Sequence, residues 1–226
     1  MDFSARNKKV AVARWTKVLT AEKNRIPNSP ETLRLKAALC GFLAGDGSVQ
    51  VRDSGTFSRH DIGFYPDDKL MLKIYCNALR QVYGKKPAVS KRSNMFEARI
   101  TSRTIVEDLL KYSKFGVHSW NVPHLLFKVA GAKEAWLRAF FSAEAYVGPE
   151  HIKIQTVNGK GMQALSDLLS TLGIAHRRYE YQPKKKNYSL VYILFISRKE
   201  ARKLFYHKIG FWHRKKTKKL KKSLGL

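Results

Sequence analysis

Hydrophobic and polar positions follow two periods along the chain, and the order of those periods predicts the order of helices and strands. Apolar residues at helical spacing follow Ser29 and Pro30. Serine is a common N-cap, and proline suits the first helical position. A helix should therefore run from Pro30 to about Ala44. Two-residue alternation over 48–52 and 61–65 then predicts two strands.

The same succession continues and then recurs. Helical spacing over 67–82 and 102–112 flanks a predicted hairpin at 87–90 and 95–101. After a connector, the pattern predicts helices at 132–143, 161–172 and 198–207, and strands at 146–147, 151–157, 174–181 and 188–196. The chain is therefore interpreted as an internal repeat of the order αββαββα.

Two segments occupy matching positions in this repeat. LCGFLAGDGSV (39–49) brings a helix to Asp46, and LRAFFSAEAYV (137–147) brings another to Glu144. Small residues fall at i, i+3 and i+4 in each helix: Gly41, Ala44 and Gly45 in the first, and Ala139, Ser142 and Ala143 in the second. Because such stripes allow backbones to approach closely, we expect the helices to pack side by side with their acids adjacent.

Two adjacent carboxylates at helix C-termini repel each other and the negative ends of both helix dipoles. A divalent cation would offset that cost, and Mg²⁺, or Mn²⁺ in its place, favours oxygen ligands. The expected metal site combines Asp46 and Glu144 with backbone carbonyls near Gly45 and Ala143. A metal there would support phosphodiester hydrolysis. A simple turn explains either acid alone, but two acids at matching positions favour a site.

Composition indicates the partner. The 226 residues carry 44 Lys and Arg against 17 Asp and Glu, a net charge of +27. This balance predicts nucleic acid, or less often an anionic membrane surface. The longest apolar run, 190–196, is far too short to span a bilayer. Cys40 and Cys76 provide neither zinc-ligand spacing nor a disulfide framework, so we expect a cytoplasmic protein with reduced thiols.

The first motif resembles the signature of the LAGLIDADG homing endonucleases at Leu39, Gly41, Gly45, Asp46 and Gly47, and LRAFFSAEA looks like a second copy. The chain is thus similar to single-chain members encoded by archaeal introns. The resemblance implies an α+β fold of two pseudo-symmetric αββαββα halves. Each half would carry a curved four-stranded antiparallel sheet, and the halves would join at the two motif helices.

The resemblance also implies a function. It predicts a monomeric, Mg²⁺-dependent, site-specific endonuclease of intron homing that cuts double-stranded DNA to leave short 3′ overhangs. A saddle of two sheets would bind a long, nearly asymmetric target in the major groove, and Asp46 and Glu144 would be catalytic and metal-binding. Polar strand residues are the candidates for DNA contact: Gln50, Arg52, Arg59, Lys91, Arg99, Lys153, Gln155, Arg177, Arg178 and Tyr181.

These expectations divide the chain into a basic N-terminal extension (1–28), a first repeat (29–112), a linker (113–131), a second repeat (132–207) and a basic tail (208–226). The extension should form a short amphipathic helix lying on the body, through the apolar positions Val10, Val12, Trp15, Val18 and Leu19. The lysine-rich run at 214–222 is either a phosphate-contacting extension or a solvated tail.

An alternative function remains open. Ser142 and Ala145 depart from the family pattern in the second motif. Tyr65-Pro66 and Thr156-Val157 stand where many members carry a lysine or glutamine. These departures fit a weakened or inactive protein that binds DNA or RNA, such as a maturase on intron RNA, a ribosome-associated protein on rRNA, or a regulator. A serine, cysteine or zinc hydrolase has no supporting motif.

Overall fold

The computed structural model describes residues 3–55, 58–184 and 187–226. The helices are α1 (Phe3–Asn24), α2 (Pro30–Ala44), α3 (Lys69–Tyr83), α4 (Arg103–Leu110), α5 (Ala132–Glu144), α6 (Gly159–Thr171), α7 (Lys199–Lys208) and α8 (Arg214–Leu224). The strands are β1 (Gly47–Asp53), β2 (Ser58–Phe64), β3 (Ala88–Arg92), β4 (Met95–Thr101), β5 (Tyr146–Val147), β6 (Ile152–Thr156), β7 (Arg177–Tyr181) and β8 (Val191–Ile196). No helix in these ranges is long and apolar enough to cross a membrane.

The strands form two four-stranded antiparallel sheets with the same topology. The first has the order β1-β2-β4-β3 and the second has the order β5-β6-β8-β7. Helices α2, α3 and α4 belong to the first half, and α5, α6 and α7 take the equivalent places in the second. The predicted α+β fold of two αββαββα halves is therefore confirmed.

Local sequence signals set several helix ends. The Ser29 hydroxyl accepts a hydrogen bond from the Thr32 amide at 3.3 Å at the start of α2. The Asp68 and Ser102 side chains cap α3 and α4 in the same way. Gly84 ends α3 in the left-handed conformation, with φ of 65°. These caps satisfy amide and carbonyl groups that have no partner inside the helix.

Helices α2 and α5 pack against each other at the centre of the molecule, with backbones in contact. A Cβ atom added to Gly41 would collide with the Trp136 carbonyl, and one added to Gly45 would lie 2.5 Å from the Ala143 Cβ. Larger side chains at these positions would push the helices apart. The small-residue stripes therefore permit the close approach that the sequence predicted.

The N-terminal extension differs from the prediction. Helix α1 is 22 residues long, and its apolar side chains at Val10, Val12 and Trp15 are exposed rather than packed on the body. Its described side-chain contacts with the body lie at its C-terminal end, where Lys23 pairs with Glu107 at 2.6 Å. The helix was wrongly predicted to be short and to lie on the body, because it extends past the surface that could have covered its apolar face.

The lysine-rich run at 214–222 is neither a solvated tail nor a free extension. It forms most of α8, whose Leu220 and Leu224 side chains are buried. These two leucines are spaced i, i+4 and lie on one helical face, so a helix with many lysines still has an apolar side to pack. The interpretation as a solvated tail is therefore wrong, and contact of this segment with phosphate stays a prediction.

Candidate metal centre and polyanion-binding face

Asp46 is held in a tight turn directly after α2. The Asp46 carbonyl accepts a hydrogen bond from the Tyr65 amide at 2.9 Å, which ties the turn to the end of β2. A Cβ atom added to Gly47 would collide with the Leu43 backbone. Glycine is therefore required after this acid, because the chain folds back onto its own helix.

Glu144 is the last residue of α5, and the helical bonding continues past it. The Ala145 amide donates to the Phe141 carbonyl at 3.0 Å, and Ala145 then adopts an extended conformation with φ of −73° and ψ of 136°. Residue 145 consequently needs no glycine. Helix α2 ends at Ala44, before its acid, whereas α5 ends at its acid, Glu144. This difference explains why alanine, and not glycine, can follow the second acid.

The two motif ends meet, as predicted. A Cβ atom added to Gly45 would lie 3.3 Å from the Glu144 Cγ. Neither the Asp46 nor the Glu144 carboxylate accepts a hydrogen bond from the residues that the structure describes. Two acids brought together without hydrogen-bond donors are suited to binding a cation.

The electrostatic environment raises the pKa of both acids. Desolvation by the surrounding protein, followed by the negative charge of Asp46, raises the pKa of Glu144 to about 7, although its side chain still reaches solvent. Burial also raises the pKa of Asp46, and the charge of Asp67 adds to that effect. The positive charge of Lys216 acts in the opposite direction on both acids.

Lys216, on α8, is a site residue that the sequence analysis missed. Its Nζ donates hydrogen bonds to the carbonyl oxygens of Ser142 and Ala143, each at 2.6 Å. Burial lowers the pKa of Lys216, whereas Asp46, Asp67 and Glu144 raise it. The basic group near the carboxylate pair therefore comes from α8. The sequence analysis had looked for it only at the ends of β2 and β6.

The C-terminal strap, defined as residues 209–224, positions this lysine across the interface between the halves. The Trp212 amide donates to the Ser142 hydroxyl at 2.7 Å, and the Trp212 ring stacks on Phe42 at 5.4 Å. His213 Nε2 lies 2.9 Å from Asp67 Oδ1 in the first half. Ser142 thus has a structural role as the anchor of the strap.

The donor set fits a hard divalent cation. Within the described ranges no cluster of three or more His, Cys, Asp or Glu side chains is present. Two carboxylates and nearby backbone carbonyls nevertheless suffice for Mg²⁺ or Mn²⁺, which retain waters and take further oxygens from a phosphate substrate. Of the expected carbonyl ligands, that of Ala143 is bound by Lys216.

Strand register divides the ten predicted DNA contacts between two faces. In the first sheet Gln50, Arg52, Arg59 and Arg99 share the open face, opposite the buried Ile62 and Phe64. In the second sheet the open face carries Lys153, Gln155, Arg177 and Tyr181. Some of the charge on these faces is paired internally, as in Arg59 with Asp61 at 2.7 Å.

Two members of the set lie on the opposite face. Lys91 pairs in register with Phe96, and Arg178 pairs with the buried Leu194. Arg178 also donates to Gln163 on α6. Contact of these two residues with DNA stays a prediction, but they lie on the other face from the remaining eight, because neighbouring side chains along a strand point to opposite faces.

The two sheets converge beside Glu144. A cavity of about 480 Å³ is lined by Gln50 of the first sheet, Gln155 of the second, and Glu144 between them. The linker contributes Trp120, whose ring packs on Phe140 at 4.8 Å. Glu144 therefore lies where the open faces of both sheets meet, next to Gly45 at the end of α2.

This combination of fold and site is similar to that of two-repeat LAGLIDADG proteins. Residues 132–210 match the sequence model of the LAGLIDADG-like domain. Variants of the homing endonuclease I-DmoI share the fold with a TM-score of 0.63 at 16% identity, over 79% of this chain and 96% of theirs. The second half of the chain therefore matches the LAGLIDADG-like domain, and the chain shares the two-repeat fold of I-DmoI.

Other relatives extend the comparison. I-DmoI in complex with DNA and Mn matches with a TM-score of 0.59 at 18% identity, over 79% of this chain and 97% of that one. Full-length DUF199/WhiA from Thermatoga maritima matches with a TM-score of 0.54 at 14% identity, over 89% of this chain and 64% of that one. A DNA polymerase of Thermococcus aggregans is 25% identical over 93% of this chain, which spans 12% of the polymerase.

Proposed function

We propose that the protein is a metal-dependent, site-specific endonuclease that cuts double-stranded DNA. One observation carries the proposal: Asp46 and Glu144 converge at the ends of two packed motif helices, and Glu144 lines the cavity where the open faces of both sheets meet. Because a single chain supplies both acids and both sheets, the active form is a monomer. The two sheets differ in sequence, which favours a long and nearly asymmetric target.

Asp46 and Glu144 would hold the divalent metal, with Gly45 or Ala143 contributing a backbone carbonyl. A bound Mg²⁺ or Mn²⁺ would supply an activated water and charge stabilisation for phosphodiester hydrolysis. The structures of I-DmoI with DNA and either Mn or Ca support this proposal. We expect a double-strand break with short 3′ overhangs. Such a break would promote homing of a mobile intron or other intervening sequence.

The residues of this chain have separate tasks in that reaction. The two carboxylates provide the negative charge that retains a metal beside a phosphate. The open faces provide cations and amides, such as Arg177 and Gln155, that bind the phosphate backbone or base edges. Lys216 provides the basic group of the centre.

Two observations favour a second function. Lys216 binds the Ala143 carbonyl that a metal would use, and the strand-end positions Tyr65-Pro66 and Thr156-Val157 carry no lysine or glutamine. A protein of this kind would bind DNA or RNA without cutting it, as a maturase, a ribosome-associated protein or a regulator would.

Selection followed by cleavage tests the two functions. Duplexes that bind the wild-type protein in Ca²⁺ would be enriched from a randomised library, and the enriched sequence would then be exposed to Mg²⁺ or Mn²⁺. We expect both strands to be cut at one position. Asp46→Asn serves as the matched control and should bind the same duplex without cutting it.

Persistent specific binding without any cut in Mg²⁺ or Mn²⁺ would overturn the endonuclease proposal. Tighter binding to intron RNA or rRNA than to the enriched duplex, again without cutting, would select the second function.

A further inference from the structure

The ammonium group of Lys216 lies at the negative end of the α5 helix dipole. It donates to two successive carbonyls, those of Ser142 and Ala143, in the last turn of α5. The last four carbonyls of a helix have no partner within the helix, and they carry the negative end of its dipole. Backbone oxygens and a negative potential are also what a divalent cation requires.

Three acids add to this potential. Asp46, Asp67 and Glu144 all lie near enough to Lys216 to favour its charged form. The lysine makes no direct ion pair with Asp46 or Glu144 among the described residues, so it contacts the carbonyl side of the centre. Its charge therefore offsets the repulsion between the two carboxylates without hydrogen-bonding to either of them.

The position of Lys216 is fixed by packing rather than by chance. The strap is attached to the first half through His213 and Asp67 and to the second half through Trp212 and Ser142. Leu220 is fully buried one turn beyond the lysine. These contacts with both halves hold the Lys216 side chain at the point where the ends of α2 and α5 meet.

We propose that Lys216 is a tethered cation, which neutralises the carboxylate pair in the metal-free protein and leaves the Ala143 carbonyl when a divalent metal binds. The proposal rests on the assignment of the metal to Asp46 and Glu144. The ammonium and the metal compete for the same carbonyl and for the same negative charge. Lys216 thus weakens metal binding and stabilises the metal-free centre.

Metal affinity tests this competition without any need for cleavage. Mn²⁺ binding to the DNA-free protein would be measured by titration calorimetry for the wild type and for Lys216→Met. Removal of a positive charge from a partly buried carboxylate pair should tighten Mn²⁺ binding by about tenfold or more. Lys218→Met is the matched control, because it removes the same charge from an exposed position on α8 and should leave the affinity unchanged.

A second measurement uses the unaltered protein. Acetylation of lysines by a water-soluble reagent, followed by mass spectrometry, reports the accessibility of each amine. Lys216 should be protected in the metal-free protein and become reactive when Ca²⁺ saturates the site, whereas Lys218 should react equally in both conditions. This readout remains informative if Lys216→Met fails to fold.

The outcomes separate this proposal from the endonuclease function. Equal Mn²⁺ affinity in the wild type and Lys216→Met would overturn it, as would continued protection of Lys216 in saturating Ca²⁺. Cleavage of DNA together with equal affinity would overturn the tethered-cation proposal alone. Tighter Mn²⁺ binding in Lys216→Met, without any cutting by the wild type, would support it while overturning the endonuclease.

Discussion

The two motif helices end differently, although both bring an acid to the same place. After α2 the chain turns back at once, so residue 47 lies against the Leu43 backbone and must be glycine. After α5 the helical bonding runs on to Ala145, and no such contact forms. The strap then covers the end of α5, through Ser142 and Lys216.

This difference explains why the second motif departs from the family pattern. Ser142 stands where the LAGLIDADG motif usually has an acidic residue. Its side chain is fully buried, and its hydroxyl accepts a hydrogen bond from the Trp212 amide. An acid there would place an additional buried negative charge beside Glu144. The hydroxyl at position 142 therefore suits the strap, while Glu144 remains at the end of α5.

The largest effects should come from the acids themselves, which test whether the two ends act as one site. Asp46→Asn and Glu144→Gln should each reduce the cleavage rate by roughly 10³-fold or more, because each removes a proposed metal ligand, and the loss of one such ligand costs several kcal/mol. Cleavage of the enriched duplex in Mg²⁺ measures the effect, and binding in Ca²⁺ is the control. A variant that retains most of the activity would show that one end suffices.

The turn after each acid provides the next test. Gly47→Ala should lower the free energy of unfolding by about 1–3 kcal/mol, because its Cβ would collide with Leu43. The reciprocal change Ala145→Gly creates no collision, and it should cost about 1–2 kcal/mol from backbone entropy and the loss of a buried methyl group. Denaturant unfolding measures both variants, and a Gly47→Ala protein as stable as the wild type would contradict the proposed distinction between the turns.

Adjacent arginines in β7 test the two faces of the second sheet. Arg177 lies on the open face, whereas Arg178 lies on the helix side and donates to Gln163. Arg177→Ala should weaken binding of the enriched duplex about fivefold and reduce the salt slope by roughly one. Arg178→Ala should leave affinity almost unchanged, and the reverse order of effects would refute the assignment of the faces.

The smallest effect concerns pH. The folded pKa of Glu144 is raised from the ordinary value of 4.5 to about 7. The folded state therefore binds more protons than the unfolded state, and stability falls as pH rises between these two values. Melting temperatures of the metal-free protein over about pH 5 to 8 should show this fall, and Glu144→Gln should reduce it. An unchanged slope in Glu144→Gln would assign the fall to other groups.

The sequence was sufficient for features that depend on local chemistry and on the repeat. The Ser29 cap, the order of elements and the pairing of the small-residue stripes follow from short-range patterns, and all three are present in the structure. The meeting of Asp46 and Glu144 followed from that pairing. Composition and spacing were therefore enough to predict most of the fold and the two acids of the site, but not Lys216.

The remaining features depend on tertiary contacts. The i, i+4 pair Leu220 and Leu224 was a signal that the lysine-rich run packs on the body, but nothing local could place Lys216 at the carboxylates. The face on which Lys91 and Arg178 lie could not be predicted either, because it depends on the pairing register of the strands. The exposure of α1 likewise depends on where the body ends.

The central claim is that the two motif ends form one metal centre. Anomalous diffraction from crystals of the protein soaked in Mn²⁺ and bound to the enriched duplex tests it directly. The account predicts an anomalous peak within coordinating distance of both the Asp46 and Glu144 carboxylates. A fully bound duplex with Mn²⁺ at other positions only, or with no peak between these acids, would contradict it.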